Sequence, residues 1–125
     1  MNVSEGVARL VGSVWLRYAG ALCLVIIAVL SLRPGHWQAR TGLPGPLEHF
    51  IAYGITAAVI TMGARSRRFP GTIIVTLMLF AGLLEVLQYW APGRDPELIG
   101  FGGSSIGAAT GALMALVARK RLETV

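Results

Sequence analysis

The chain has 125 residues, of which 54% are hydrophobic and only 14% charged, with a formal net charge of +5. That length allows one domain, and the charge fraction is low for a water-soluble one. The mean hydropathy of +0.66 comes from long apolar blocks rather than scattered residues, which points to a bilayer as the solvent.

The first 13 residues, MNVSEGVARLVGS, are expected to form a short interfacial helix. The first predicted span is Val14 to Leu32, with Arg17 one turn inside its start and able to snorkel to the interface. It reads as a retained helix: SLRPGHW offers no small-x-small cleavage site. Cys23, the only cysteine, lies inside this run and excludes an intramolecular disulfide or a cysteine metal cluster. The second predicted span runs from Leu47 to Ala64 and carries Glu48 and His49 at its start. The third runs from Pro70 to Trp90, with Pro70 where a missing N–H costs nothing. The fourth runs from Leu98 to Ala118. Each is long enough for the roughly 30 Å hydrocarbon layer. The expected fold is an all-α, polytopic bundle of four transmembrane helices in one domain, 1–125.

The basic residues orient it. Arg9, Arg17, Arg65, Arg67, Arg68, Arg119, Lys120 and Arg121 fall on the side of the N-terminus, and Arg33, Arg40 and Arg94 on the other. The positive-inside rule then places both termini in the cytoplasm. Arginines at the ends of apolar runs read as headgroup anchors, not as a nucleic-acid surface.

In the fourth span Gly103, Gly107 and Gly111 recur every four residues. On a helix they make a flat stripe for close approach, either within the bundle or against another membrane protein.

The polar residues inside the spans converge. In this topology His49 and Tyr53, four residues apart, lie toward the outer face. So do Glu85 and Gln88, three apart on one helix face, with Arg94 following and Ser104 and Ser105 on the fourth span. Trp37, Tyr89 and Trp90 suit an aromatic belt at that interface. A carboxylate at this depth is expected to face the bundle. There it pairs with His49 or Arg94, or hydrogen-bonds to Gln88 and the serines. The cluster reads as an internal clamp or as a small site open to the outside, for a lipid headgroup or a proton or ion relay.

LSLRP, LEHFIAYG, LLEVLQYWAPGR and SSIGAATGALMA occur in that order over about residues 28 to 117. Together they resemble the VanZ-like family of small bacterial membrane proteins. The resemblance aligns His49, Tyr53, Glu85, Gln88, Arg94, Gly107 and Gly111 with the family's motifs. Gly45 and Pro46 stand where the family has Asp-Lys, Gly100 where it has Asp, and Ser104 where it has Asn. The resemblance implies a divergent member in the bacterial cytoplasmic membrane, in a family named for a link to resistance against the glycopeptide teicoplanin.

No catalytic residues, metal ligands or cofactor are assigned. His49 and Glu85 are the only acid/base pair in reach, and no metal spacing or phosphate loop is present. The expected function is that of a non-catalytic membrane or envelope-associated protein with membrane lipids as partners. One alternative is an accessory subunit making lateral contact with other transmembrane proteins, in a respiratory or photosynthetic assembly or gating lipid or quinone access. Another is an outer-face site for an envelope lipid or antibiotic.

Overall fold

The computed structural model describes residues 2–34, 42–65 and 70–124. Trp37, Arg40, Arg67 and Arg68, used above for the aromatic belt and the orientation, lie outside them. All regular structure among the described residues is helical: α1 (Val3–Leu10), α2 (Val14–Leu32), α3 (Gly45–Gly63), α4 (Pro70–Leu87), a 3-10 turn (Gln88–Trp90) and α5 (Leu98–Glu123).

Local chemistry sets each boundary. In α1 the Glu5 carboxylate accepts the Asn2 backbone N–H at 3.1 Å, and Gly12 turns the chain with φ 73°. Ser13 caps α2 by accepting the Leu16 N–H at 3.3 Å. The α3 helix starts at Gly45, two residues earlier than expected, because Pro46 sits in its first turn, where its missing N–H is not needed. The α4 helix ends at Leu87 rather than continuing to Trp90. Pro92 forces Ala91 out of helical conformation (φ −85°, ψ 123°), so the last turn tightens into the 3-10 segment. The Arg94 N–H then bonds the Ala91 carbonyl at 3.2 Å across Pro92-Gly93, with Gly93 at φ 72°. The α5 helix runs to Glu123 instead of Ala118, extended by an Arg119–Glu123 pair at 2.9 Å, one turn apart.

The centre of the molecule is the α3–α5 pair. A Cβ added at Gly103, Gly107 or Gly111 would come closer than 3.0 Å to the carbonyl oxygens of Pro46, Phe50 and Gly54 respectively. Both sets advance four residues at a time in the same direction, so the two helices run parallel with backbones in contact. Ala57, Ala108 and Ala112 close the seam with no exposed surface. The glycine stripe is thus spent inside the bundle. The α2 helix flanks α3, with Gly20 against Ile60 and Gly63 against Leu16 and Arg17, and α4 flanks α5, with Gly82 against Phe101. The Arg17 Nε is enclosed without a hydrogen-bond partner among the described residues, while the residue as a whole is half-buried.

Three of these helices, α2, α4 with its 3-10 turn, and α5, are long and apolar enough to cross a membrane. With Glu48 and His49 in its first turns, α3 is not among them, although it has 19 residues.

Candidate functional site

The C-terminal ends of α2 and α4 and the N-terminal ends of α3 and α5 meet at one end of the bundle, and the polar residues gather there. Glu85, two residues before the end of α4, accepts the backbone N–H of Glu97 at 3.1 Å. It thereby places a carboxylate over the start of α5, where the free N–H groups favour negative charge. The other carboxylate oxygen lies 3.9 Å from His49 Nδ1. His49 Nδ1 is 3.1 Å from Ser104 Oγ, and that hydroxyl donates to the Gly100 carbonyl at 3.0 Å. Which partner donates in the His49–Ser104 contact depends on the histidine tautomer.

Serine, histidine and glutamate thus meet without forming a nucleophilic triad. Ser104 and Glu85 both face the same imidazole nitrogen, whereas a triad needs the serine on one nitrogen and the acid on the other. Ser104 is also 1% exposed. Its hydroxyl locks a histidine between α3 and α5.

Two expected partners of Glu85 turn elsewhere. Gln88 opens the 3-10 turn, and its amide N–H₂ donates across the bundle to the Ser31 carbonyl of α2 at 3.0 Å. Arg94 donates through Nε to the Arg33 carbonyl at 2.8 Å and through Nη2 to the Leu30 carbonyl. These are carbonyls that the end of α2 leaves free. Burial, then the neighbouring Arg33 charge, lower the pKa of the Arg94 guanidinium, while Glu85 pulls the other way. Ser105 donates to the Phe101 carbonyl of its own helix at 2.9 Å, away from the cluster. Tyr53 packs against Phe80 with ring centroids 6.4 Å apart. Tyr89 and Trp90 are exposed at this end.

Two cavities adjoin this cluster. One, of about 350 Å³, is mostly apolar and lies between α2 and α3, lined by Ile27, Leu30, Ile51 and Tyr53. The other, of about 460 Å³, is polar and lined by Glu85, Asp95, Glu97 and Gly100. They share the wall made by Leu43, Glu48, His49, Gln88 and Arg94. Gly45, Pro46 and Gly100 line the polar cavity. A Cβ at Gly100 would lie 3.2 Å from Glu85 Oε1 and 3.3 Å from His49 Cε1. The absence of a side chain there lets both groups approach α5. Gly45 has open space around it.

At the opposite end Arg119, 5% exposed, donates through Nη1 to the Thr61 and Ala64 carbonyls at 3.0 and 2.6 Å, and through Nε to Glu123. Sequence reading treats Arg119 as a headgroup anchor. In the fold it closes the C-terminus of α3. The four-residue spacing to Glu123 is the one signal in the sequence that hints at an internal pairing.

Among the described residues, no group of three or more His, Cys, Asp or Glu side chains is placed to hold a metal ion. The chain matches no protein-family model, no curated protein and no solved structure.

Proposed function

We propose that this chain is a divergent VanZ-like, non-catalytic protein of the bacterial cytoplasmic membrane that holds an amphiphile of the outer leaflet at the polar end of its bundle. The observation that carries this reading is the pair of adjoining cavities, one apolar and one polar, with His49, Gln88 and Arg94 between them. Such a pair fits a molecule with an apolar tail and a polar head. The small residues Gly45 and Gly100, standing where the family has acidic side chains, leave room for the head.

The packing supports a reading of four spans. The α3 helix lies parallel to α5 with backbones touching, so the hydrocarbon layer that α5 crosses also surrounds α3. Glu48 and His49 then sit at the edge of that layer, where a charge is far less costly than at its centre. Both termini are cytoplasmic by the distribution of arginine, and the cavities open outward. Lipids are the principal partners. The exposed apolar faces of α2 and α4 suit lipid or a neighbouring span equally.

The test is retention of lipid by the full chain purified in mild detergent, assayed as phosphorus per protein. Wild type is expected to keep about one phospholipid per chain. Ala52→Phe, which fills the apolar cavity, is expected to lose it while keeping its helical circular dichroism. Retention that survives Ala52→Phe, or no retained lipid in wild type, removes the reading.

A further inference from the structure

The end of the bundle opposite the cavities is rich in arginine, and its charges do not balance. The turn between α1 and α2 is seated there: the Gly12 N–H donates to the Met62 carbonyl at 2.8 Å, and a Cβ at Gly12 would lie 4.0 Å from Arg119 Nη2. The charged groups at this end, among the described residues, are Glu5 and Arg9 on α1, Arg17 on α2, Arg65 after α3, and Arg119, Lys120, Arg121 and Glu123 on α5. Both acids are committed, Glu5 to the Asn2 N–H and Glu123 to Arg119. Arg9, Arg65, Lys120 and Arg121 are exposed to their surroundings. Arg17 is half-buried, its Nε is enclosed without a hydrogen-bond partner, and no carboxylate pairs with it among the described residues. The buried Thr61 hydroxyl is likewise unpartnered, although Thr56 and Thr76 each donate to the carbonyl four residues earlier. Thr61 lies two residues before Gly63, whose Cβ position is 3.0 Å from the Arg17 backbone N, so both unsatisfied groups belong to one α2–α3 contact. A partly desolvated guanidinium without a counter-ion is costly, and this end of the chain has no uncommitted carboxylate to offer it.

The surroundings of Arg17 say what kind of anion would answer it. Arg17 lies one turn inside α2 between Trp15 and Tyr18, both exposed, with ring centroids 6.4 Å apart. Exposed aromatic side chains at the end of a span mark the level of lipid headgroups. On α1, Val3, Val7 and Leu10 make an exposed apolar stripe at spacings of four and three, and Glu5 and Arg9 occupy the opposite side. A helix of that pattern lies in the plane of the interface. We infer that this end of the bundle is a docking surface for anionic phospholipid, with α1 lying in the headgroup layer and the Arg17 guanidinium holding a lipid phosphate. The planar, multi-donor guanidinium matches a phosphate, and the surplus of Arg65, Lys120 and Arg121 selects a headgroup of net negative charge. The inference rests on the membrane reading above but not on the cavities at the other end.

The experiment is native mass spectrometry of the full chain released from bilayers of equal phosphatidylglycerol and phosphatidylcholine. Retained lipid is expected to be enriched about fivefold or more in phosphatidylglycerol. Ala52→Phe, which fills the apolar cavity at the other end, is expected to keep that enrichment, and Arg17→Gln to bring it below about twofold. Lys120→Gln combined with Arg121→Gln, both at exposed positions, is expected to lower it as well and decides the matter if Arg17→Gln does not fold. Inorganic phosphate at millimolar concentration is expected to leave the lipid in place. Three results overturn the inference while leaving the outer-end reading to its own test. They are equal retention of the two lipids, enrichment that disappears in Ala52→Phe, and enrichment that neither set of basic-residue variants changes. Displacement by inorganic phosphate overturns the assignment of the anion to a lipid.

Discussion

An α-helix leaves its last carbonyls without an intrahelical donor, and in this protein arginine answers that need twice. Arg94 donates to Leu30 and Arg33 at the end of α2, and Arg119 to Thr61 and Ala64 at the end of α3. Each guanidinium meets several acceptors in one plane and places its positive charge at the negative end of a helix dipole. Lysine has the charge without the fork. Arg119→Ala is therefore expected to lower the unfolding free energy by about 1–3 kcal/mol, with Arg119→Lys recovering part of the loss. Thermal unfolding in detergent, followed by circular dichroism, measures both. An unchanged midpoint in Arg119→Ala would show that the cap contributes nothing. The same economy governs Glu85: its carboxylate caps the start of α5 through Glu97 while the second oxygen stays near His49.

At the scale of elements, the α3–α5 seam positions everything else. Its glycines are required by contact, not by conformation: a Cβ at Gly107 would meet the Phe50 carbonyl carbon at 2.9 Å, and backbone cannot yield as a flexible side chain does. Gly107→Ala is expected to cost about 1–3 kcal/mol as the helices are pushed apart. Gly102→Ala, on the same helix with nothing within 4 Å, is expected to be neutral or to gain up to ~1 kcal/mol from helix propensity. Comparing the two melting midpoints separates packing from propensity, and equal shifts would mean that the seam is looser than its geometry implies. Separation of α3 from α5 also breaks the His49–Ser104 bond, so Gly107→Ala should reduce lipid retention although it lies two turns from the cavities.

At the scale of the whole molecule, the proposed four-span arrangement and its orientation make one prediction. Single cysteines at Asp95 and at Thr124, in a Cys23→Ser background, are expected to label differently in intact cells. A membrane-impermeant maleimide should reach position 95 from outside and position 124 only after permeabilisation. Labelling of both from the same side would leave α5 as something other than a span. The exposed apolar residues of α2 and α4, including Leu22, Val25, Val29, Leu79 and Leu83, then face hydrocarbon. In water the same surface would aggregate.

The helices themselves were legible in the sequence because their signals are local. Apolar length marked the segments, and Pro70 marked a helix start. The convergence of His49, Glu85, Gln88, Arg94 and Ser104 at one end also followed, since alternating the direction of successive helices is enough to bring them to the same depth. Which atom meets which was decided only in three dimensions. Spacing placed Glu85 and Gln88 on one face, yet a 3-10 turn sends Gln88 to α2. Opposite charge suggested Arg94 for Glu85, yet free carbonyls at the end of α2 take its donors. Arg119 looked like an interfacial anchor because its partners, Thr61 and Ala64, are backbone groups, which sequence does not distinguish from any others. The cavities are the furthest from view. Gly45 and Gly100, which carry no side chains, line the polar one, and only the packing of whole elements fixes such a volume.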